Sequence, residues 1–244
     1  MAPIADGAGV PLSYAEQGDG ATVLLVHGLA SDAEAIAPLG TALAQDGARV
    51  VAYDRRGYGA SGAPEPYGGT TVEEQAEDAA ALLQGLGGER ALVVGDDFGA
   101  LIALDLVRRH GRLVRGVVLS NPPLFMLVRS ATLELSEQRA EIEEAVRARG
   151  PQAGVEVWLG GRADAAALER AKASFRGFFA DYAGLASWGV TRPELRRLAA
   201  PAVVVTSPGS PPHVLAAADE LTALLPDARR STDGDLVAAA RALL

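Results

Sequence analysis

The sequence predicts an α/β protein with a mostly parallel central sheet, helices on both faces and a small helical cap. Three observations predict it. Five short runs rich in Val, Leu and Ala alternate with stretches of helical period, the pattern of strands buried on both faces and joined by crossover helices. One run passes through a Gly-x-x-x-Gly turn directly into an apolar helix, over 92–100. A long middle stretch, from Asn121 to Val190, carries helical pattern and no strand signal.

Strands are expected at 22–26, 49–53, 91–94, 114–119 and 202–206. Each is a short apolar run bounded by turn residues. Helices are expected at 33–45, 71–86, 100–110 and 214–225. At the second of these, Thr71-Val72-Glu73-Glu74 sets acidic residues in the first turn, where they favour the helix dipole. The middle stretch predicts helices at 133–149 and 163–179 and a short one around 183–188, bracketed by Pro122-Pro123 and Arg192-Pro193. The expected organisation is therefore a core of residues 1–120 and 193–244 with an inserted cap of 121–192 over the carboxyl edge of the sheet. Phe125, Trp158, Phe175, Phe178, Phe179 and Trp188 fall in or beside this insertion, and Phe98 in the turn. Aromatic residues concentrated there either line an apolar pocket or pack the insertion on the core.

With 244 residues, 49% of them hydrophobic, the chain suits one domain with a sizeable core. Only 5% are aromatic, so Ala, Val and Leu must fill that core. The net charge of −9 argues against nucleic acid or an anionic membrane as partner. The absence of cysteine excludes disulfides, thiolate nucleophiles and Cys-based metal sites. The start, Met1-Ala2-Pro3-Ile4-Ala5-Asp6, has no basic segment ahead of an apolar stretch, and no apolar run approaches the ~18 residues that span a bilayer. The expectation is a cytoplasmic monomer or homodimer that takes a small-molecule substrate, with no cofactor and no metal.

The run Leu92-Val93-Val94-Gly95-Asp96-Asp97-Phe98-Gly99-Ala100 has the shape of a nucleophile elbow, with Asp97 where a serine usually stands. Small residues let strand and helix pack closely and lift the central side chain into a pocket. Two further segments accompany it, Val26-His27-Gly28-Leu29-Ala30 after the first apolar strand and Asp54-Arg55-Arg56-Gly57-Tyr58-Gly59-Ala60-Ser61-Gly62 after the next.

In these three ordered motifs the chain resembles the α/β-hydrolase superfamily over nearly its whole length. The elbow is similar to that of the aspartate-nucleophile branch, the epoxide hydrolases and haloalkane dehalogenases. The resemblance implies an α/β-hydrolase fold with a helical cap. It implies Asp97 as nucleophile and the backbone N–H groups of Leu29 and Phe98 as oxyanion-hole donors. By the same resemblance His27 belongs to the oxyanion turn, and Tyr182 and Trp188 are cap aromatics that could touch substrate. Tyr182 is the only tyrosine of the insertion.

The sequence departs from that branch in its triad. The loop after the strand at 202–206, Ser207-Pro208-Gly209-Ser210-Pro211-Pro212-His213, has no carboxylate. Where the branch carries its histidine, this chain reads Ser231-Thr232-Asp233-Gly234-Asp235-Leu236, with Asp235 at the matching position. Of the three histidines, His27 lies in the turn motif, His110 ends a helix, and His213 follows a strand's carboxyl end, where α/β sites form. A phenylalanine also follows the nucleophile position, and Phe98 has no side-chain N–H to hold a halide.

An ester on Asp97 would persist without a base, and turnover would stop. If Asp97 and Asp235 face each other in an apolar pocket, their like charges raise one pKa and the pair holds one proton at neutral pH. The expectation is non-hydrolytic acid/base chemistry of the kind used in specialised metabolism: cyclisation, isomerisation or intramolecular epoxide opening. Its alternatives are an epoxide hydrolase-like hydrolase with Asp97 as nucleophile and His213 as base, and a catalytically inactive ligand-binding module. The acidic helix at 133–149, with Glu134, Glu137, Glu141, Glu143 and Glu144, is read as a solvated face rather than a partner surface.

Overall fold

A computed structural model describes residues 2–128, 131–185 and 187–244. Its sheet has eight strands: β1 (Ile4–Asp6), β2 (Pro11–Gln17), β3 (Thr22–Val26), β4 (Arg49–Tyr53), β5 (Ala91–Asp96), β6 (Val114–Ser120), β7 (Ala202–Val205) and β8 (Ala228–Ser231). Their spatial order is β1-β2-β4-β3-β5-β6-β7-β8. The first two strands run antiparallel, and the six from β3 to β8 are parallel.

Five of these strands are the apolar runs of the sequence. The other three carry no such signal for a physical reason. β1 has three residues. β2 is exposed over its last residues. β8 reads Ala-Arg-Arg-Ser and forms the sheet edge, where charged side chains discourage further pairing.

The helices are α1 (Ala37–Gln45), α2 (Val72–Gly85), α3 (Phe98–His110), α4 (Ala131–Arg149), α5 (Pro151–Leu159), α6 (Ala165–Ala173), α7 (Phe175–Leu185), α8 (Arg192–Leu195), α9 (Pro212–Leu224) and α10 (Leu236–Arg241). Alternate residues of each strand face opposite layers. Val23 and Leu25 of β3 pack with Leu43 of α1 and Ala239 and Ala240 of α10. Leu24 and Val26 pack in the larger cluster with α2, α3 and α9. Thr71 caps α2 in a reciprocal capping box with Glu74, as its acidic first turn predicts. His110 pairs through Nε2 with Glu77 of α2 at 2.9 Å, tying α3 to α2. Among the described residues no helix is long and apolar enough to cross a membrane.

Between β6 and β7 the described chain forms helices α4 to α8 and one short 3-10 turn. The stretch read from sequence as one helix over 163–179 divides at Ser174 into α6 and α7. Of the short segment expected at 183–188, the beginning closes α7 and position 186 lies outside the described residues. A buried charged cluster docks this helical segment on the core. Arg55 and Asp181 of α7, both fully buried, pair at 2.7 Å. Tyr58 Oη donates to Asp181 at 2.8 Å, and Gln75 of α2 donates to its other oxygen. The backbones meet closely there: a Cβ on Gly177 would lie 2.5 Å from the Gly57 carbonyl oxygen. Asp54 accepts the backbone N–H groups of Ala33 and Ala60, each at 3.0 Å, and so fixes the two turns against each other.

Candidate active site

Asp97 lies between β5 and α3 with φ 49° and ψ −117°. A non-glycine residue held there stores roughly 1–3 kcal/mol of backbone strain, which the surrounding packing must enforce. The flanking glycines show how. A Cβ on Gly95 would lie 2.2 Å from the Gly99 carbonyl oxygen, and one on Gly99 would lie 2.1 Å from that of Val26. Strand and helix therefore approach as only glycine allows, and the Asp97 side chain stands out at the carboxyl edge of the sheet. It borders a cavity of about 610 Å³ that the helical segment partly covers.

The backbone N–H of Leu29 donates to Asp97 Oδ2 at 3.2 Å. Removal from bulk water, followed by the adjacent Asp96 charge, pushes Asp97 up to about 7. The N–H groups of Leu29 and Phe98 and the Arg162 charge oppose that rise and do not cancel it. Asp96 also borders the cavity. Burial raises its pKa too, while Ser120 Oγ, donating at 2.6 Å, favours its ionised form. Two adjacent carboxyls thus share one site, the arrangement in which one retains a proton at neutral pH.

The remaining predicted residues divide. His213 borders the cavity at the first turn of α9, with its Nδ1 on a Glu134 carboxylate oxygen of α4 and its ring 5.4 Å from that of Phe125. Trp158 of α5 borders it as well.

Asp235 does not face Asp97. Its carboxylate accepts the Ala238 N–H at 2.8 Å and caps α10, a task for which an aspartate before an apolar helical run is well suited. The like-charged neighbour of Asp97 is Asp96. His27 is fully buried with both ring nitrogens engaged: Nδ1 lies 2.9 Å from the Gly28 carbonyl oxygen, and Nε2 meets the Arg55 N–H at 3.0 Å. It shapes the turn from behind rather than lining the cavity. Trp188 is buried with its Nε1 donating to Asp105 at 3.1 Å, and Tyr182 packs edge-on against Trp158 with ring centres 5.8 Å apart. Neither borders the cavity. The Phe98 ring is buried against the Arg55 guanidinium, 5.1 Å away, so only its backbone serves the site.

Arg162, just beyond α5, escaped the sequence reading. It borders the cavity and donates to the carbonyl oxygens of Leu159, at 2.9 Å, and Trp158. Nothing in a lone arginine between helices marks it as sharing a cavity with two aspartates, because that proximity exists only in the fold.

The chain is 35% identical over 133 residues to an uncharacterised hydrolase, YraK, of Bacillus subtilis, covering 54% of this chain and 49% of that protein. It is 35% identical over 122 residues to epoxide hydrolase A of Mycobacterium tuberculosis, covering 49% of this chain and 38% of that one. It is also 34% identical over 117 residues to the bifunctional epoxide hydrolase 2 of Sus scrofa, covering 48% and 21%. The chain thus matches less than half the length of each of these relatives. Among solved structures, an esterase from Exiguobacterium antarcticum superposes with a TM-score of 0.78 at 19% identity, covering 96% of this chain and 91% of that one. An enol-lactonase from Burkholderia xenovorans gives 0.68 at 26% identity, covering 96% and 91%. The family model described as alpha/beta hydrolase fold matches residues 21–230, a span that includes the His27 turn, the arginine-rich turn, the Asp97 elbow and every strand of the parallel sheet up to β8. With its sheet order, its strained elbow and that match in agreement, the chain belongs to the alpha/beta hydrolase fold family.

Proposed function

We propose that this chain is an enzyme that turns over a small, largely apolar substrate by proton transfer at Asp97, in cyclisation, isomerisation or intramolecular epoxide opening. One observation supports this above the others: burial and the adjacent Asp96 charge push the Asp97 carboxyl up to about 7 at the edge of the cavity. A carboxyl that is half-protonated near neutral pH gives and takes a proton with comparable ease. In epoxide opening by the substrate's own hydroxyl, Asp97 donates its proton to the ring oxygen as the C–O bond breaks. The hydroxyl oxygen forms the new C–O bond, and its proton passes to the Asp96–Asp97 pair, which restores the starting state. The product is an isomer of the substrate, and no water is consumed.

A second reading has its own support. Leu29 N–H holds Asp97 Oδ2 at 3.2 Å and so orients the carboxylate toward the cavity, and curated relatives are epoxide hydrolases. Here Asp97 is the nucleophile, and His213 with Glu134 supplies the base that frees the ester.

The experiment is incubation with hydroxy-epoxides and simple epoxides in H₂¹⁸O, with intact-protein mass spectrometry and product analysis. The expected result is a cyclic ether without ¹⁸O and no protein adduct, lost in Asp97→Asn by about 10²–10⁴-fold. A covalent adduct on Asp97, or a diol carrying ¹⁸O, overturns it in favour of the hydrolase. Ligand binding that survives Asp97→Asn unchanged, with no turnover of any substrate, would make the chain a binding module.

A further inference from the structure

The charged groups around the cavity are not equally satisfied. Arg170 is engaged by Asp32 at 2.6 Å and by Glu34 at 3.0 Å. His213 is engaged by Glu134. Arg162 differs: its Nε and Nη2 donate to the carbonyl oxygens of Leu159 and Trp158, where α5 ends. Carbonyl oxygens fix the direction of a guanidinium without neutralising its charge. Among the described residues Arg162 makes no salt bridge, although its charge acts on Asp96 and Asp97 across the cavity. A guanidinium has five N–H donors. Two are used here, and three remain, including those of Nη1.

From this we infer that Arg162 is the anchor for a carboxylate carried by the substrate, so that the cavity takes a small carboxylic acid rather than a neutral molecule. The inference deepens the reading of the cavity as an active site and rests on it. The planar fork of an arginine matches a carboxylate in two parallel hydrogen bonds, a contact worth more than its neutral equivalent. Phe125, Trp158, Leu159 and Val214 border the same space and suit an apolar body behind the head group. Such a ligand spans from Arg162 to the elbow. Its negative charge beside the two aspartates also favours the protonated form of Asp97, the form that donates.

The test compares binding of ω-phenyl carboxylates of graded chain length with their primary amides by titration calorimetry. It uses the whole protein below about pH 7, where Asp97 holds its proton. At least one acid should bind about tenfold or more tighter than its amide, and Arg162→Gln should erase that preference. Arg162 is exposed, so the variant should fold, and its unfolding transition checks that it does. The inference falls if acids and amides bind alike, if neither binds, or if the preference survives Arg162→Gln. Binding is read here without turnover. Asp97-dependent conversion of a neutral substrate, alongside equal binding of acid and amide, would sink this inference alone. Acid selectivity lost with Arg162 but no Asp97-dependent turnover would sink the acid/base reading alone.

Discussion

Asp181 and Asp97 are both carboxylates withdrawn from bulk water, and they differ in what meets them. Asp181 receives the Arg55 guanidinium, the Tyr58 hydroxyl and the Gln75 amide. Asp97 receives the Leu29 N–H at 3.2 Å and a lesser pull from the Phe98 N–H, beside a like-charged neighbour and a cavity. Burial raises the pKa of both. At Asp181 the paired charge and three hydrogen bonds pull against that rise, and the group holds helix α7 to the core. At Asp97 the opposing contacts are weak, and the proton stays available near neutral pH. The same residue type is a clamp in one place and a proton exchanger in the other, according to whether its charge is answered.

The largest effect should come from breaking the clamp. Asp181→Ala leaves the Arg55 guanidinium buried and unpaired. It should lower unfolding free energy by about 3–5 kcal/mol, read from urea denaturation. A loss below about 1 kcal/mol would mean that water reaches Arg55 and that the cluster does not hold the helical segment.

The converse substitution should stabilise. Asp97 has a folded pKa of about 7 against an ordinary 3.8, so the folded protein binds the proton more tightly than the unfolded chain. Its favourable contribution is present in full below pH 3.8 and is lost as pH rises through about 7. Asp97→Asn removes the titration. The variant should therefore gain stability over wild type progressively across that window, reaching about 1–4 kcal/mol at alkaline pH. Equal stability of the two proteins at pH 5 and pH 8 would show that Asp97 is not held out of solvent, and the contrast with Asp181 would collapse.

The direction of the pH–rate limb sharpens the contrast further. If Asp97 donates a proton, kcat/KM falls about tenfold per pH unit above about 7 as the group ionises. If it attacks carbon as the anion, kcat/KM rises through the same pH. One profile on any turned-over substrate separates the two.

The clamp and the elbow were unequally legible. Gly95 and Gly99 declare the elbow because steric exclusion of a Cβ is a local demand, readable within five residues. The buried β strands declare themselves by apolar runs, while β8, with two arginines at a sheet edge, does not. Asp235 shows the hazard of position alone. The family pattern offered it as a catalytic partner, whereas its place before Leu236 already suits an N-cap. Asp181 answers Tyr58 across 123 residues, and His213 answers Glu134 across 79. Neither pairing has any local signature, and the same holds for Arg162 sharing a cavity with the aspartates. Asp96, the residue before the elbow, bonds to Ser120 and also borders the cavity, because β5 ends there and leaves its side chain at the sheet's edge.

The smallest predicted effect concerns the third charged meeting, between Glu134 and His213. The Glu134 side chain is 46% exposed, so the pair should contribute at most about 1 kcal/mol to stability, and Glu134→Gln should leave unfolding almost unchanged. Its value lies in which chemistry it alters. If Asp97 only exchanges protons, His213→Gln should leave kcat/KM within about twofold of wild type, because no step passes through the imidazole. If Asp97 forms an ester, the same substitution removes the base that frees it, and intact mass should then show adduct accumulating on the variant and not on wild type. A half-exposed pair is a poor clamp by the standard of Asp181. Whether it is also idle depends on the bond that Asp97 makes, so this substitution asks of His213 what the pH profile asks of Asp97.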